Sequence, residues 1–228
     1  MQAVILCAGK GLRMGLLTTD KPKPLLKIAN TTLLEHKLDA LPKIISEVIL
    51  IVGHKSELIR KQFKDTYKDK KIIYVEQGER GGTAYALWAA QAYLTGPFLV
   101  LMGDDLYSKQ SLQLATEHIP SITGKKASVE DEGSRIITDN TGQLTDFVTK
   151  DTYISTHLDG GLVFTGLYAL DLDIFNYEPV KMKTKNEWGL SHTLLTYAKD
   201  HPVKILETDW WLSVSTPNEL KKAELLIR

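Results

Sequence analysis

Cysteine is nearly absent from the sequence: Cys7 is the single one among 228 residues. One thiol excludes an internal disulfide framework and a cysteine-based zinc site, and it fits a reducing cytoplasm. A charge surplus is absent too. Lys and Arg number 28, Asp and Glu number 28, and the formal net charge is zero. Proteins that bind nucleic acid or acidic membranes through their general surface usually carry a basic surplus, so neither partner is expected. No apolar run nears the roughly 18–20 residues of a membrane span. The first residues, Met1 to Gly9, have no positive n-region, and their apolar part is too short for a signal peptide. Internal repeats, low-complexity segments and a clear linker are missing as well. What remains is 43% hydrophobic and 25% charged, the balance of a globular chain rather than a disordered one. The expectation is a soluble, cytoplasmic protein of one large domain.

Four short runs rich in Val, Ile and Leu read as strands buried on both faces: Ala3–Cys7, Val48–Val52, Ile72–Val75 and Phe98–Met102. Helical patterns lie between them, around Leu33–Leu41, Glu57–Phe63 and Ala84–Leu94. Strand and helix in alternation predict βαβ units with right-handed crossovers. After Asp105 the pattern changes. Ala127–Glu130, Arg135–Thr138 and Gln143–Thr149 read as short strands separated by hairpin signals, and Leu162–Leu170 as another strand. Helices are expected near Asp171–Tyr177 and Leu190–Lys199, and a strand around Val203–Val214. Pro217, after Thr216, opens a C-terminal helix. The fold class predicted is α/β, one domain with a mixed central sheet flanked by helices.

Ligands of open α/β sheets bind beyond the carboxyl ends of the strands, so the loops there carry the search. After the first strand comes Ala8-Gly9-Lys10-Gly11-Leu12-Arg13, then Lys21 and Lys23 between prolines. Glycines let backbone N–H groups approach a phosphate, and three cations suit a triphosphate. The spacing is neither a dinucleotide fingerprint nor a P-loop. After the third core strand, Gln77 offers a donor and an acceptor to a base edge, Gly82 allows close approach, and Thr83 is placed to cap a helix. After the fourth, Gly103-Asp104-Asp105 puts a carboxylate where Mg²⁺ could bind. Each loop alone also reads as an ordinary turn.

Taken in order, Gly9 to Arg13, Lys23 before Pro24-Leu25-Leu26, Gln77 with Gly82, and Gly103-Asp104 resemble the sugar-1-phosphate nucleotidyltransferases, the nucleotide-sugar pyrophosphorylases. The resemblance runs along the whole chain and is strongest over residues 1–105. It implies a Rossmann-like nucleotide-diphospho-sugar transferase fold, with a nucleotide-binding half (1–105) and a sugar-binding half (106–228). It implies catalytic roles for Arg13, Lys23 and Asp104, with Asp104 the Mg²⁺ ligand. Leu6, Ala8, Gly9, Gly11, Gln77, Gly82, Thr83 and Gly103 would line the nucleotide. Phe164 and Tyr168, in Phe-Thr-Gly-Leu-Tyr, together with Lys150 and Glu187, would meet the sugar phosphate. The reaction implied joins a nucleoside triphosphate, UTP or dTTP, to a sugar 1-phosphate and releases pyrophosphate. Phe164 stands where members acting on N-acetylglucosamine 1-phosphate tend to carry Asn, so a glucose-type acceptor is expected.

The sequence departs from that family in places. Trp211-Leu-Ser-Val-Ser-Thr-Pro217 aligns with Trp-x-Asp-x-Gly-Thr-Pro/His, so Ser213 replaces a second metal-binding Asp and Ser215 a glycine. A serine binds Mg²⁺ more weakly than a carboxylate. Asp209, four residues off, is too far along a strand to substitute. Leu12 also stands where Thr or Ser is common. Two expectations follow: weakened metal binding that Ser213→Asp would restore, or a regulatory binding protein of the same fold that has lost turnover. A nicotinamide oxidoreductase is disfavoured by the glycine spacing and by Gly53-His54-Lys55 after the second strand. The bifunctional acetyltransferase type, in which a left-handed β-helix follows this domain, is not expected.

Overall fold

The computed structural model describes residues 1–128, 131–156, 160–183 and 186–227. Its strands, in chain order, are β1 (Gln2–Leu6), β2 (Lys27–Ile28), β3 (Thr31–Thr32), β4 (Glu47–Val52), β5 (Thr66–Tyr67), β6 (Lys70–Glu76), β7 (Phe98–Met102), β8 (Asp105–Tyr107), β9 (Ser121–Lys126), β10 (Arg135–Thr138), β11 (Leu144–Val148), β12 (Leu162–Leu170), β13 (Lys204–Thr208) and β14 (Trp211–Ser213). The helices are α1 (Leu33–Ala40), α2 (Ser56–Phe63), α3 (Thr83–Trp88), α4 (Lys109–Glu117), α5 (Lys150–Thr156), α6 (Leu190–Tyr197) and α7 (Pro217–Leu226).

The four apolar runs form the parallel centre of a ten-stranded mixed sheet, in the order β7-β1-β4-β6. Their unbroken hydrophobicity follows from burial on both faces. Ala3, Ile5, Val48, Leu50, Leu99 and Leu101 belong to one core layer, covered by α1, α2 and α4. Their alternates Val4, Ile49, Ile51, Phe98 and Val100 belong to the other, covered by α3 and α6. Beyond β7 the sheet turns antiparallel, except where β13 runs parallel to β9. The long strand β12 lies against β7, β9 and β10, and β13 adds to β9. A separate ribbon pairs β8 with β14. Among the described residues no helix is long and apolar enough to cross a membrane.

Several expected elements differ. The helix expected over Ala84–Leu94 ends at Trp88 and continues as a 3-10 turn at Gln91–Tyr93, because Ala90, Tyr93 and Leu94 donate their N–H groups three residues back. The helix near Asp171–Tyr177 is a 3-10 turn at Leu172–Asn176. The strand expected over Val203–Val214 is two strands in two sheets. The Thr208 hydroxyl accepts the Trp210 N–H and donates to the Trp210 carbonyl, folding the chain over at Asp209. The strand expected at Ala127–Glu130 lies earlier, at β9. Small buried residues there, Ser121, Thr123 and Gly124, hide its pattern; residues 129–130 fall outside those described. α4 and α5 are elements that the pattern above does not anticipate.

Candidate active site

The loops after β1, β4, β6 and β7 meet at one edge. Two further parallel ladder bonds carry the strands into it, Cys7 N–H to the Ile51 carbonyl and Gln77 N–H to the Val52 carbonyl, each 2.8 Å. A Cβ on Gly103 would stand 2.2 Å from the Leu6 carbonyl oxygen, and one on Gly53 would stand 3.2 Å from Ala8. The glycines thus bring Leu6, Ala8 and Gly103 into contact range. Gly11, at φ +66°, begins a 3-10 run over Leu12–Thr18. The Thr18 hydroxyl holds the run by donating to the Gly11 and Gly15 carbonyls at 3.1 and 3.2 Å. Around Gly9 the space is open, with no neighbouring atom within 4 Å of an added Cβ. Arg13 is exposed beside it and makes no ion pair among the described residues. Lys21 is exposed as well, so of the three cations only Lys23 turns inward.

Lys23 is buried in a 3-10 turn between Pro22 and Pro24, with its Cβ near Gly11. Its Nζ donates to Asp104 Oδ2 at 2.8 Å. Ser215 Oγ donates to the same oxygen at 3.0 Å, and Val214 N–H donates to the Asp104 carbonyl at 2.9 Å. Burial pushes the Asp104 carboxyl up, but Lys23 and Ser215 outweigh it and hold the group below the usual carboxylate range. Ser213 does not face Asp104 as expected. The β8–β14 register sets it opposite Asp105, whose carboxyl it bonds, and its hydroxyl lies 3.2 Å from that of Ser215. Asp209 is taken by the Ser108 hydroxyl at 3.0 Å. The donors presented at this edge are therefore one carboxylate and hydroxyls, all hard oxygens. They fit Mg²⁺ anchored by Asp104 alone, with phosphate and water completing its shell. Among the described residues no group of three or more His, Cys, Asp or Glu side chains could hold a metal by itself.

Beneath lies a set of charges that the motif reading misses. Lys37 is 2% exposed and Asp105 7%. Burial lowers the Lys37 ammonium to about 8, against the pull of Cys7 and the two carboxylates. Burial and the neighbouring Asp104 raise the Asp105 carboxyl to about 8. Burial likewise pushes the Cys7 thiol up to about 12. The signal for Lys37 is present in the sequence, since it falls four residues after Leu33 on the apolar stripe of α1.

The Gln77 amide donates weakly, at 3.4 Å, to the Arg80 and Gly82 carbonyls. Gly82 has φ +102°, and a Cβ there would lie 2.2 Å from the Trp188 carbonyl oxygen. What approaches Gly82 in this structure is protein backbone. Thr83 does not cap its own helix, whose N-cap is Gly82. Its hydroxyl instead accepts the Leu190 N–H at the start of α6, 2.9 Å away. Glu187 lies beside Gly81. Phe164 packs between Phe147 and Tyr168, with ring centroids at 4.8 and 5.1 Å. Tyr168 is 3% exposed, bonded to Ser191 and part of the core, so it presents no open surface to a sugar. Lys150 pairs with Glu132 at 2.7 Å. The structure thus gathers Leu6, Ala8, Gly11, Lys23, Gly103 and Asp104 tightly, and spreads the four expected sugar residues over separate contacts.

A family model described as Nucleotidyl transferase matches residues 2–228. The chain is 28% identical over 235 residues to the UTP–glucose-1-phosphate uridylyltransferase AglF of Haloferax volcanii, covering 98% of this chain and 95% of that protein. It is 27% identical over 226 residues to the bifunctional protein GlmU of Methanococcus aeolicus, covering 98% of this chain and 53% of that one. It spans about half the length of such bifunctional relatives. A UDP-glucose pyrophosphorylase complexed with UDP-glucose shares the fold, at a TM-score of 0.79 and 19% identity over 99% of this chain and 97% of that one.

Proposed function

Because the chain belongs to the nucleotidyl transferase family, we propose that it moves a nucleoside monophosphate from UTP or dTTP onto a sugar 1-phosphate and releases pyrophosphate. The observation that carries this reading is the pair of buried Lys23 with half-buried Asp104, 2.8 Å apart, beside an open glycine turn at the carboxyl edge of the sheet. A sugar-phosphate oxygen attacks the α-phosphorus in line and the pyrophosphate leaves, so catalysis is positioning and charge stabilisation. The Gly9–Gly11 backbone and the unpaired Arg13 hold the β- and γ-phosphates. Lys23 meets the α-phosphate as charge builds there. Asp104 would hold Mg²⁺, which would supply charge neutralisation to the phosphates.

Gln77 is the candidate reader of the base. Its carbonyl and N–H match the edge of a pyrimidine, and the crowded Gly81–Gly82 turn leaves little room for a purine. The acceptor favoured is a glucose-type sugar, since Phe164 gives no hydrogen bond to an N-acetyl group. The test is a panel of triphosphates and sugar 1-phosphates with Mg²⁺, read by pyrophosphate release. Faster reaction with ATP or GTP than with UTP and dTTP would refute the base assignment. Faster reaction with N-acetylglucosamine 1-phosphate than with glucose 1-phosphate would refute the acceptor. Triphosphate binding by calorimetry without any release would replace the enzyme with a regulatory binder, the reading that the Ser213–Ser215 hydroxyls favour.

A further inference from the structure

Lys23 has one ammonium and, on the reading above, two claims upon it. In this structure it is spent on Asp104. The stem of the lysine is fixed by its turn, where Leu25 N–H donates to the Pro22 carbonyl and Leu26 N–H to the Lys23 carbonyl, at 2.9 and 3.0 Å. The carboxylate is fixed in turn by β7 and by the Val214 N–H on its own carbonyl. Ser215 adds a second donor to the oxygen that Lys23 holds, and Ser213 backs Ser215. The pair is thus built into the scaffold rather than formed by two free surface chains, and its lysine is 7% exposed, where charges are weakly screened.

We propose that Lys23 occupies the cation position on Asp104 in the substrate-free protein, and that this ion pair couples divalent-metal binding to triphosphate binding. The inference rests on the nucleotide reading of this edge. A metal ion arriving alone meets a carboxylate already neutralised by an ammonium. A triphosphate arriving alone meets a lysine already engaged. Each must part the pair, at the cost of leaving a buried ammonium or a half-buried carboxylate without its partner. When both arrive the pair is parted once, so each ligand relieves the other of that cost. The coupling is reciprocal by necessity. One consequence runs against intuition: removing the proposed catalytic lysine makes the protein a better metal binder when no nucleotide is present.

The experiment is titration with Mn²⁺ as the probe, followed by electron paramagnetic resonance of the free ion, without nucleotide. Wild type is compared with Lys23→Met, which keeps the buried volume, and Lys23→Arg, which keeps the charge. Lys23→Met is expected to bind Mn²⁺ at least tenfold more tightly than wild type, a gain that Asp104→Asn abolishes. Lys23→Arg is expected to stay near wild type. Adding UTP should tighten Mn²⁺ binding more in wild type than in Lys23→Met. Circular dichroism checks that each variant is folded, and Lys23→Gln serves if the Met variant is not. Mn²⁺ affinity in the folded neutral variants equal to or below that of wild type overturns the inference. Failure of wild type to bind any triphosphate by calorimetry would instead overturn the nucleotide reading. The metal-only comparison contains no nucleotide and would still decide the ion pair.

Discussion

The two halves of the chain hold their candidate site residues in opposite ways. Up to Asp105 the four core strands β7, β1, β4 and β6 run parallel, so their carboxyl ends line up and the loop after each empties onto one edge. A residue placed after a strand there is placed at the site, as Lys23 and Asp104 are with a turn and a ribbon holding them together. Beyond Asp105 most pairings are antiparallel, the β13–β9 pair excepted, and the loops leave at both ends. Phe164 and Tyr168 sit inside β12 rather than after it, and pack into the core layer beneath. A motif therefore predicts position well where topology gathers loops, and poorly where it scatters them.

The sharpest way to break that contrast is Lys23→Ala. Turnover should fall by at least about a hundredfold, the scale of one lost transition-state donor, with the circular dichroism spectrum kept. Full turnover in folded Lys23→Ala would remove the first half's claim to the chemistry. Next comes stability. Gly82→Ala puts a Cβ against the Trp188 backbone at a positive φ, so a loss of about 3 kcal/mol is expected. At roughly 2–4 °C per kcal/mol that is a melting point lower by about 6–12 °C. Gly9→Ala, in open space, should stay within about 2 °C of wild type while still losing activity. Equal melting points for the two variants would mean that the crossing at Trp188 does not hold in solution.

In the second half, Lys150→Ala should raise the KM for the sugar 1-phosphate by about tenfold with kcat nearly unchanged, as expected of binding shared by ground and transition states. A KM change for the triphosphate alone would move Lys150 out of the sugar subsite. The smallest effect concerns Cys7. With its thiol pushed up to about 12, about one molecule in ten thousand is thiolate at pH 8. A disulfide reagent should leave native protein unlabelled over the time that labels urea-unfolded protein completely. Rapid native labelling would show the loop after β1 opening far more often than its packing suggests.

The first half was legible because each physical cause acts locally. Burial on both faces writes an unbroken apolar run, as in Phe98–Met102, and close backbone approach writes glycines just past the strand ends, as at Gly53 and Gly103. The second half was less so. β9 hid because buried Ser121, Thr123 and Gly124 are small and polar. Val203–Val214 read as one strand because the Thr208 hydroxyl, not a glycine or proline, turns the chain. Ser215 was passed over for Ser213 because the alignment fixes a residue's place in a motif, while the register of β14 against β8 decides which carboxylate each serine meets. Thr83 looked like a cap for the helix it begins; its partner, Leu190, lies more than a hundred residues on and no local pattern points to it.

The crossing at Gly82 also bears on how this protein could be redesigned. Trp188 N–H donates to the Gly81 carbonyl, Ala84 N–H to the Trp188 carbonyl, and Leu190 N–H to the Thr83 hydroxyl. Three hydrogen bonds buckle the Gly81–Thr83 turn to the entry of α6. The two segments are separate in sequence but form one module in space. A Gln77–Thr83 loop transplanted from a relative would arrive without its fastening. A working graft has to carry residues 186–190 along with it, and any library that varies one segment while freezing the other samples mostly broken buckles.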